Sequence, residues 1–97
     1  MHELQTGMYA RSLAGHDKGK LYIIIALDEN YVYLADGKQR TIDHPKKKRF
    51  RHIQPDCHVD SRIQEKLNSS RKLRDEEIKR AIKLKEAQKQ EVRNVKG

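Results

Sequence analysis

The sequence predicts a mainly β protein, in which a small, closed, five-stranded barrel is followed by two C-terminal helices. Short stretches rich in Tyr, Ile, Val and Thr recur at intervals of about ten residues, and turn residues separate them. Five short strands within about fifty residues are typical of a small barrel. The helices are expected after Pro55, where the sequence changes to charged, helix-forming residues.

The five predicted strands follow one another through short connections. They are GMYARSL, KLYIIIALD, YVYLA, QRTID and RFRHIQ, at residues 7–13, 20–28, 31–35, 39–43 and 49–54. Pro45 is expected to end the fourth strand, because proline lacks the amide hydrogen that a strand ladder uses. Phe50 and Ile53 are the apolar members of the fifth, edge-type strand.

The apolar run at residues 21–27 fits either a strand or a buried helix segment, and its periodicity does not distinguish the two. Three consecutive isoleucines and the short length favour a strand. Residues 28–30 suit a three-residue hairpin connection with Asn30 in the left-handed conformation. Asp36-Gly37 is a two-residue turn signal.

Two helices are predicted from their boundary residues. Ser61 to Gln64 match a capping box, in which Ile63 begins an apolar i, i+4 pair with Leu67, and residues 68–70 form a stop. Asp75 is the predicted N-cap of the second helix, since acidic residues also fill the turn that follows it.

The second helix has a narrow apolar face. Ile78, Ala81 and Ile82 form a contact patch. Three like charges then continue along the helix at i, i+4 and i+8, namely Lys85, Lys89 and Arg93. Such spacing destabilises an isolated helix unless an anion lies against it. The helix is therefore either a solvated, partly frayed end of the chain or one that orders on a phosphate backbone.

The composition points to an acidic partner and limits what the chain can be. Of its 97 residues, 35% are hydrophobic and 37% are charged, so a core along the whole length is not expected. We expect a barrel at residues 1–57 and a basic helical extension at 58–97. The net charge of +8 arises in the second half of the chain. So short a chain leaves no room for a large enzyme with a deep cleft.

The loop between the first two strands contains Gly15-His16-Asp17-Lys18-Gly19-Lys20. Its glycines allow close backbone approach to a ligand, and its lysines can neutralise phosphates. Asp17 is expected to accept hydrogen bonds from the loop's own amides and hold it open. The alternative is an ordinary exposed turn with glycine for geometry and lysine for solubility.

A second basic segment is denser. It contains Lys46, Lys47, Lys48, Arg49 and Arg51. If all five met phosphates, the log-log salt slope of binding would be about −3.5 to −4.5. A localisation-type tract or a solvated turn is the alternative. Phe50 and the four tyrosines are expected mostly as core residues, although an outward tyrosine near the loop could stack on a base.

The order of strand, glycine-lysine loop, isoleucine-rich strand and Asp-Gly turn resembles the KOW motif of ribosomal and transcription-factor proteins. The matching residues run from Gly7 through the Gly15–Lys20 loop to Ile25, and then through Asp28, Asn30 and the Asp36-Gly37 turn. They are similar to the sub-family that includes the large-subunit ribosomal protein of the "fourteen-e" type, and to compact bacterial KOW proteins. The resemblance covers about residues 7–54 and implies an SH3-like barrel that contacts ribosomal RNA through the loop.

From residues and resemblance together we expect a non-catalytic, cytoplasmic RNA-binding protein that is ribosomal or ribosome-associated. Structured ribosomal RNA is the expected partner, ribosomal proteins are further candidates, and the free protein is expected to be a monomer. The predicted RNA-binding residues are Arg11, Gly15, His16, Asp17, Lys18, Gly19, Lys20, Lys46, Lys47, Lys48, Arg49, Arg51, Lys85, Lys89 and Arg93.

Other chemistry is not expected. Cys57 is the single cysteine, which excludes an intrachain disulfide and suits a reducing compartment. His52, Cys57, His58 and Asp60 fit no zinc spacing, and no nucleophile, base and orienting group line up, so we expect neither metal, cofactor nor catalysis. Neither a signal peptide nor a membrane span is predicted.

Two other functions are compatible with the sequence. Small barrels also bind proteins, and the Ile78 and Ile82 face could place the second helix in a partner's groove. The positive charge would also support non-specific nucleic-acid binding, DNA included.

Overall fold

The computed structural model describes residues 3–96, apart from the side chains of Cys57 and of residues 89–96. Its elements are β1 (Met8–Ser12), β2 (Leu21–Leu27), β3 (Tyr31–Ala35), β4 (Lys46–Arg49), a 3-10 turn (Phe50–His52), β5 (Ile53–Val59), α1 (Ser61–Asn68) and α2 (Asp75–Lys96). The strands form one antiparallel sheet in the order β4-β3-β2-β1-β5. This sheet curls into a half-barrel with β4 and β5 at its two edges. The predicted five-stranded β fold followed by two helices is confirmed, whereas the expected closure of the sheet is not found among the described residues.

The sheet buries apolar side chains on both of its faces. On one face a cluster forms from Met8, Ala10, Tyr22, Ile24, Val32, Leu34 and Ile53. On the other face, β-strand residues that include Tyr9, Leu21 and Ile23 pack against the helices. Because successive strand residues point to opposite faces, a strand covered on both sides is apolar without interruption. This explains the run at residues 21–27, and the predicted strand there is confirmed.

The helices supply further residues of this second cluster, in which Tyr9, Leu21 and Ile23 lie. Ile63 of α1 and Ile78 and Ala81 of α2 are buried against the sheet, and Ile82 and Leu67 are partly buried beside them. The predicted apolar pairs on both helices are therefore confirmed as contact faces. At least the first two turns of α2 are part of the core.

The predicted fourth strand at residues 39–43 is wrong. Residues 36–45 form a loop, whose backbone amides are held by carboxylates instead of by a strand ladder. Asp36 accepts hydrogen bonds from the amides of Lys38 and Arg40 at 2.9 and 2.8 Å, and Asp75 accepts one from the amide of Ile42 at 2.7 Å. The Asp36-Gly37 turn is present, with φ of +81° at Gly37, but it opens this loop rather than a hairpin.

The fourth strand is instead the basic segment Lys46–Arg49, which pairs with β3. Pro45 therefore precedes this strand rather than ending one. The predicted strand at residues 49–54 is wrong over 50–52, where the chain makes a 3-10 turn. Strand β5 continues through Pro55 to Val59, which is allowed because β5 is an edge strand and Pro55 has no amide to pair.

The turn at residues 28–30 has the predicted length but not the predicted conformation. Among the described residues, Ser70 is the only non-glycine residue with a positive φ, so Asn30 is not in the left-handed conformation. Instead, Asp28 Oδ1 accepts hydrogen bonds from the amides of Asn30 and Tyr31 at 3.0 and 2.9 Å. Hydrogen bonds to the Asp28 carboxylate thus stabilise this turn, in place of the left-handed conformation expected at Asn30.

Both helices begin one residue earlier than predicted. Asp60, not Ser61, caps α1, since its carboxylate accepts the amide of Ile63 at 2.9 Å. At α2 the Arg74 carbonyl accepts the first helical hydrogen bonds, while Glu77 Oε2 accepts the Arg74 amide at 3.0 Å. The Asp75 carboxylate is thus free to hold the preceding loop. The predicted stop after Asn68 is confirmed.

A membrane-spanning helix would have to be both long and apolar. Neither helix of the described chain meets both conditions.

Candidate nucleic-acid interface

The loop between β1 and β2, residues 13–20, is a closed and ordered turn. The amide of Gly19 donates to the Ser12 carbonyl at 2.8 Å, and the amide of Ser12 donates to the Lys20 carbonyl at 3.0 Å. Gly15 and Gly19 have φ of +87° and +90°, a region that side chains other than glycine rarely adopt. The two glycines are therefore needed for the shape of this loop, as the sequence predicts.

Asp17 points from this loop into the molecule, so its expected role as an acceptor for the loop's own amides is wrong. Its carboxylate accepts hydrogen bonds from Tyr22 Oη at 2.7 Å and from Ser12 Oγ at 2.9 Å. Lys48 Nζ lies 3.2 Å and Lys46 Nζ 3.5 Å from the same carboxylate. Asp17 thereby joins the loop to β1, β2 and β4.

The electrostatics of Asp17 follow from these contacts. Burial by itself would raise the pKa of the carboxyl group, but hydrogen bonds from Tyr22, Ser12 and Lys48 outweigh it and hold the pKa well below its usual range. The pKa of Tyr22 is raised by burial and by its hydrogen bond to Asp17. Asp17 is therefore ionised and internally paired, and does not present a carboxylate to a ligand.

The basic strand β4 divides its cations between two faces. Lys48 is only 9% exposed, and its ammonium group donates to the Ala14 carbonyl at 2.7 Å besides pairing with Asp17. Lys47 and Arg49 lie on the other face, 4.2 and 5.4 Å from the centre of the Tyr31 ring. Arg51, in the 3-10 turn, is exposed. Lys48 is thus a structural cation, and Lys47, Arg49 and Arg51 are accessible to a partner.

The loop cations also differ among themselves. His16 and Lys18 are exposed at the tip of the loop. Lys20 Nζ pairs with Asp36 Oδ2 at 2.5 Å and donates to Gln39 Oε1 at 3.2 Å. Lys20 therefore connects the loop to residues 36–45, and Lys18 is the loop lysine that extends into solvent.

A basic groove lies between this loop and α2. Five of its lining side chains are basic, namely Arg11, Lys20, Lys38, Lys79 and Lys83. Two are acidic, namely Asp36 and Glu86. Lys38, Lys79 and Lys83 are exposed, and no ion pair involves them within the described part of the chain. We call this surface the loop–helix groove; its excess of positive charge suits a phosphate-bearing ligand.

Arg11 holds the two walls of the groove together. Its guanidinium group donates to the Gly19 carbonyl at 2.8 Å and pairs with Glu86 Oε1 at 2.5 Å. The loop and the fourth turn of α2 are thus fixed to the same side chain of β1. Arg11, Lys20 and Gly19 were predicted as RNA-binding residues, and the structure brings all three together in this groove.

Three groove lysines, Lys38, Lys79 and Lys83, are missing from the sequence prediction. Lys79 and Lys83 each follow a buried or partly buried isoleucine of α2, at positions that place them beside the contact face. The periodicity of α2 therefore contained a signal for them. Lys38 had no such signal, because its position depends on the carboxylate-held loop at residues 36–45.

Lys85, the first of the three like charges predicted along α2, does not line the loop–helix groove. Lys85 Nζ lies 3.1 Å from Asp56 Oδ2 and 2.8 Å from His58 Nδ1, so it pairs with β5 on the side of α2 away from the groove. Burial tends to raise the pKa of Asp56, but the hydrogen bonds from His58 and Lys85 lower it to about 2. The side chains of Lys89 and Arg93 lie outside the described residues.

Among the described residues, no group of three His, Cys, Asp or Glu side chains comes close enough to hold a metal ion. No protein-family model and no curated protein matches the chain. The fold is a small antiparallel half-barrel, and this shape is compatible with the SH3-like fold that the KOW resemblance implies.

Proposed function

We propose that this chain is a non-catalytic RNA-binding protein of the KOW type, ribosomal or ribosome-associated, which contacts structured RNA mainly through the phosphate backbone. The loop–helix groove carries this proposal. Its exposed lysines come from two separate elements, Lys38 from the loop at 36–45 and Lys79 and Lys83 from α2. Lysines on two walls of one groove can approach phosphates along a backbone from both sides.

The internal contacts of the groove support recognition by a preformed surface. Arg11 and Lys20 are paired with Glu86 and Asp36, so they fix the walls. The exposed lysines Lys38, Lys79 and Lys83 can release their counterions and bind phosphates instead. A surface that is ordered before binding loses less conformational entropy when the ligand arrives.

The competing function, a module that binds proteins through the apolar face of α2, has less support. Ile78 is fully buried against the chain's own sheet, and Ile82 is partly buried in the same cluster. That face is already occupied, whereas the lysines beside it are exposed. Non-specific binding of DNA is distinguished by competition between structured RNA and DNA at one salt concentration.

The test reverses charge in the groove. We expect the double variant Lys79→Glu and Lys83→Glu to weaken binding of a fluorescent ribosomal RNA hairpin at least tenfold at low salt. Losing two phosphate contacts should also reduce the log-log salt slope by about 1.4 to 1.8. The matched control is Arg71→Glu with Lys72→Glu, which makes the same charge change at exposed residues that do not line the groove.

The comparison between the two variants decides the outcome. If the groove variant binds like the control variant, the groove does not carry the interaction. If the unchanged protein binds neither the hairpin nor other structured RNA at low salt, the proposed function is wrong.

A further inference from the structure

The aromatic side chains of this chain are unevenly exposed. Of its four tyrosines, Tyr9 and Tyr22 are buried in the two cores at 7% and 1% exposure. Tyr31 and Tyr33 are partly exposed. The single phenylalanine, Phe50, is 37% exposed in the 3-10 turn, so its expected place in the core is wrong. All of the accessible aromatic surface thus belongs to β3 and to the residue that follows β4.

The strand register places the two accessible tyrosines beside two cations. Tyr31 pairs with Arg49 and Tyr33 pairs with Lys47 across the β3–β4 ladder. The intervening residue Val32 is buried in the core on one face of the sheet, so the four paired side chains lie on the opposite face. We call these four residues the β3–β4 platform; β4 is also an edge strand of the sheet.

Hydrogen bonds from the platform to Asp28, in the turn that precedes β3, hold its two tyrosines in place. Asp28 Oδ2 accepts a hydrogen bond from Tyr33 Oη at 2.9 Å, and Asp28 Oδ1 accepts the Tyr31 amide at 2.9 Å. The same carboxylate therefore orients one tyrosine ring and the backbone of the other. Glu29 is a second acidic residue in this turn, and Lys47, Arg49 and Arg51 are exposed cations of β4 and of the 3-10 turn.

We propose that the β3–β4 platform stacks unpaired RNA bases on Tyr31 and holds the flanking phosphates with Lys47 and Arg49. This inference rests on the proposed RNA-binding function and names a second, single-stranded class of target. Lys47 Nζ now lies 4.2 Å from the Tyr31 ring centre. A stacked base interacts with an exposed ring more strongly than an ammonium group does, so it can displace Lys47 towards a phosphate.

Charge and aromatic surface together select this ligand. An acidic protein would pair with the cations without needing the rings. RNA duplexes present phosphates and 2′-hydroxyl groups but no free base faces, so a duplex cannot stack on the platform and is expected to bind at the loop–helix groove. Unpaired nucleotides match both the cations and the accessible rings.

The experiment uses the full chain with a single-stranded oligouridine of about 12 nucleotides and an RNA duplex as separate probes. The chain has no tryptophan, so its intrinsic fluorescence comes from tyrosine. We expect oligouridine to quench this emission as it binds. Tyr31→Leu should weaken oligouridine binding about 5- to 100-fold and leave duplex binding within twofold, while Tyr31→Phe should retain oligouridine binding.

The outcomes separate this inference from the proposed function. If oligouridine fails to bind or to quench tyrosine emission while the duplex binds, the platform is overturned and groove binding stands. If Tyr31→Leu and Tyr31→Phe bind oligouridine equally well, the ring does not stack and the platform is likewise overturned. If neither probe binds the unchanged protein, both proposals fail. The quenching measurement on the unchanged protein needs no variant to fold.

Discussion

At the scale of single residues, Asp17 does the most to organise the candidate interface. Its side chain is 11% exposed and is paired with Lys48, which is 9% exposed. Removing one member of such a pair leaves the other charge poorly solvated, which usually costs more than the pair contributes. Asp17, which the sequence places among the ligand-binding residues of the loop, therefore stabilises the loop through internal contacts.

Replacing Asp17 tests this support. We expect Asp17→Asn to lower the free energy of unfolding by about 2 to 4 kcal/mol, because Lys48 loses its carboxylate partner. Urea unfolding measures this loss. Asp43→Asn, at an exposed position, is the control and should change stability by less than about 0.5 kcal/mol. Equal stability of the two variants would contradict the role given to Asp17.

The pH dependence of stability gives an independent check on Asp17. Its pKa in the folded chain lies below the ordinary value of 3.8. The contribution of the carboxylate is therefore fully present above about pH 4 and is lost as the pH falls through the folded-state pKa. We expect urea midpoints of the unchanged protein to fall more steeply than those of Asp17→Asn below about pH 4. If the urea midpoints of the two proteins fall in parallel with pH, the role given to Asp17 is contradicted.

Two glycines give a matched pair of predictions, since Gly37 and Gly19 have similar positive φ values of +81° and +90°. A Cβ atom at Gly37 would lie 2.3 Å from the Asp75 carbonyl oxygen, whereas one at Gly19 would meet nothing within 4 Å. Gly19→Ala should cost about 1 to 2 kcal/mol from backbone strain. Gly37→Ala should cost clearly more, because α2 must also shift. Thermal or urea unfolding compares them, and equal losses would contradict the close approach.

At the scale of elements, strand β4 shows where sequence reasoning succeeds and where it fails. The apolar, β-branched strands β2 and β3 could be predicted because their own side chains form the core. The four cations of β4 have no such signal, and only pairing with β3 and with Asp17 makes them a strand. The Gln39–Asp43 segment has suitable residues for a strand, but the distant Asp75 holds it as a loop.

The two faces of β4 predict opposite effects for neighbouring lysines. Lys48→Ala should destabilise the fold by about 1 to 3 kcal/mol, because its ammonium group satisfies Asp17 and the Ala14 carbonyl. Lys47→Ala should cost less than about 1 kcal/mol but reduce the salt slope of oligouridine binding by about 0.7. Urea unfolding and salt-dependent binding measure the two effects. A reduced slope for Lys48→Ala in folded protein would contradict this division.

The docking of α2 is also a prediction at the scale of elements. Ile78 is fully buried, in the cluster that sheet residues form with Ile63 of α1. Ile78→Ala should therefore lower the free energy of unfolding by about 2 to 5 kcal/mol in the absence of RNA. Leu84→Ala, at a residue that is 55% exposed on the same helix, is the control. A loss no larger than that of the control would mean that α2 is not part of the folded core.

At the scale of the whole molecule, the basic residues serve two purposes that composition does not separate. Lys20, Lys48 and Lys85 hold the fold through internal ion pairs. Others, including Lys38, Lys47, Lys79 and Lys83, remain accessible on the groove and the platform. The sequence could predict a basic loop and a basic segment, but which cations are free depends on long-range contacts with Asp17, Asp36 and Asp56.

The central claim is that this chain binds RNA in cells, and crosslinking followed by sequencing of the bound RNA tests it most directly. We predict one dominant crosslinked site in ribosomal RNA, which is lost in the Lys79→Glu, Lys83→Glu variant and kept in the Arg71→Glu, Lys72→Glu control. Recovery of no RNA above the level without irradiation would contradict the claim.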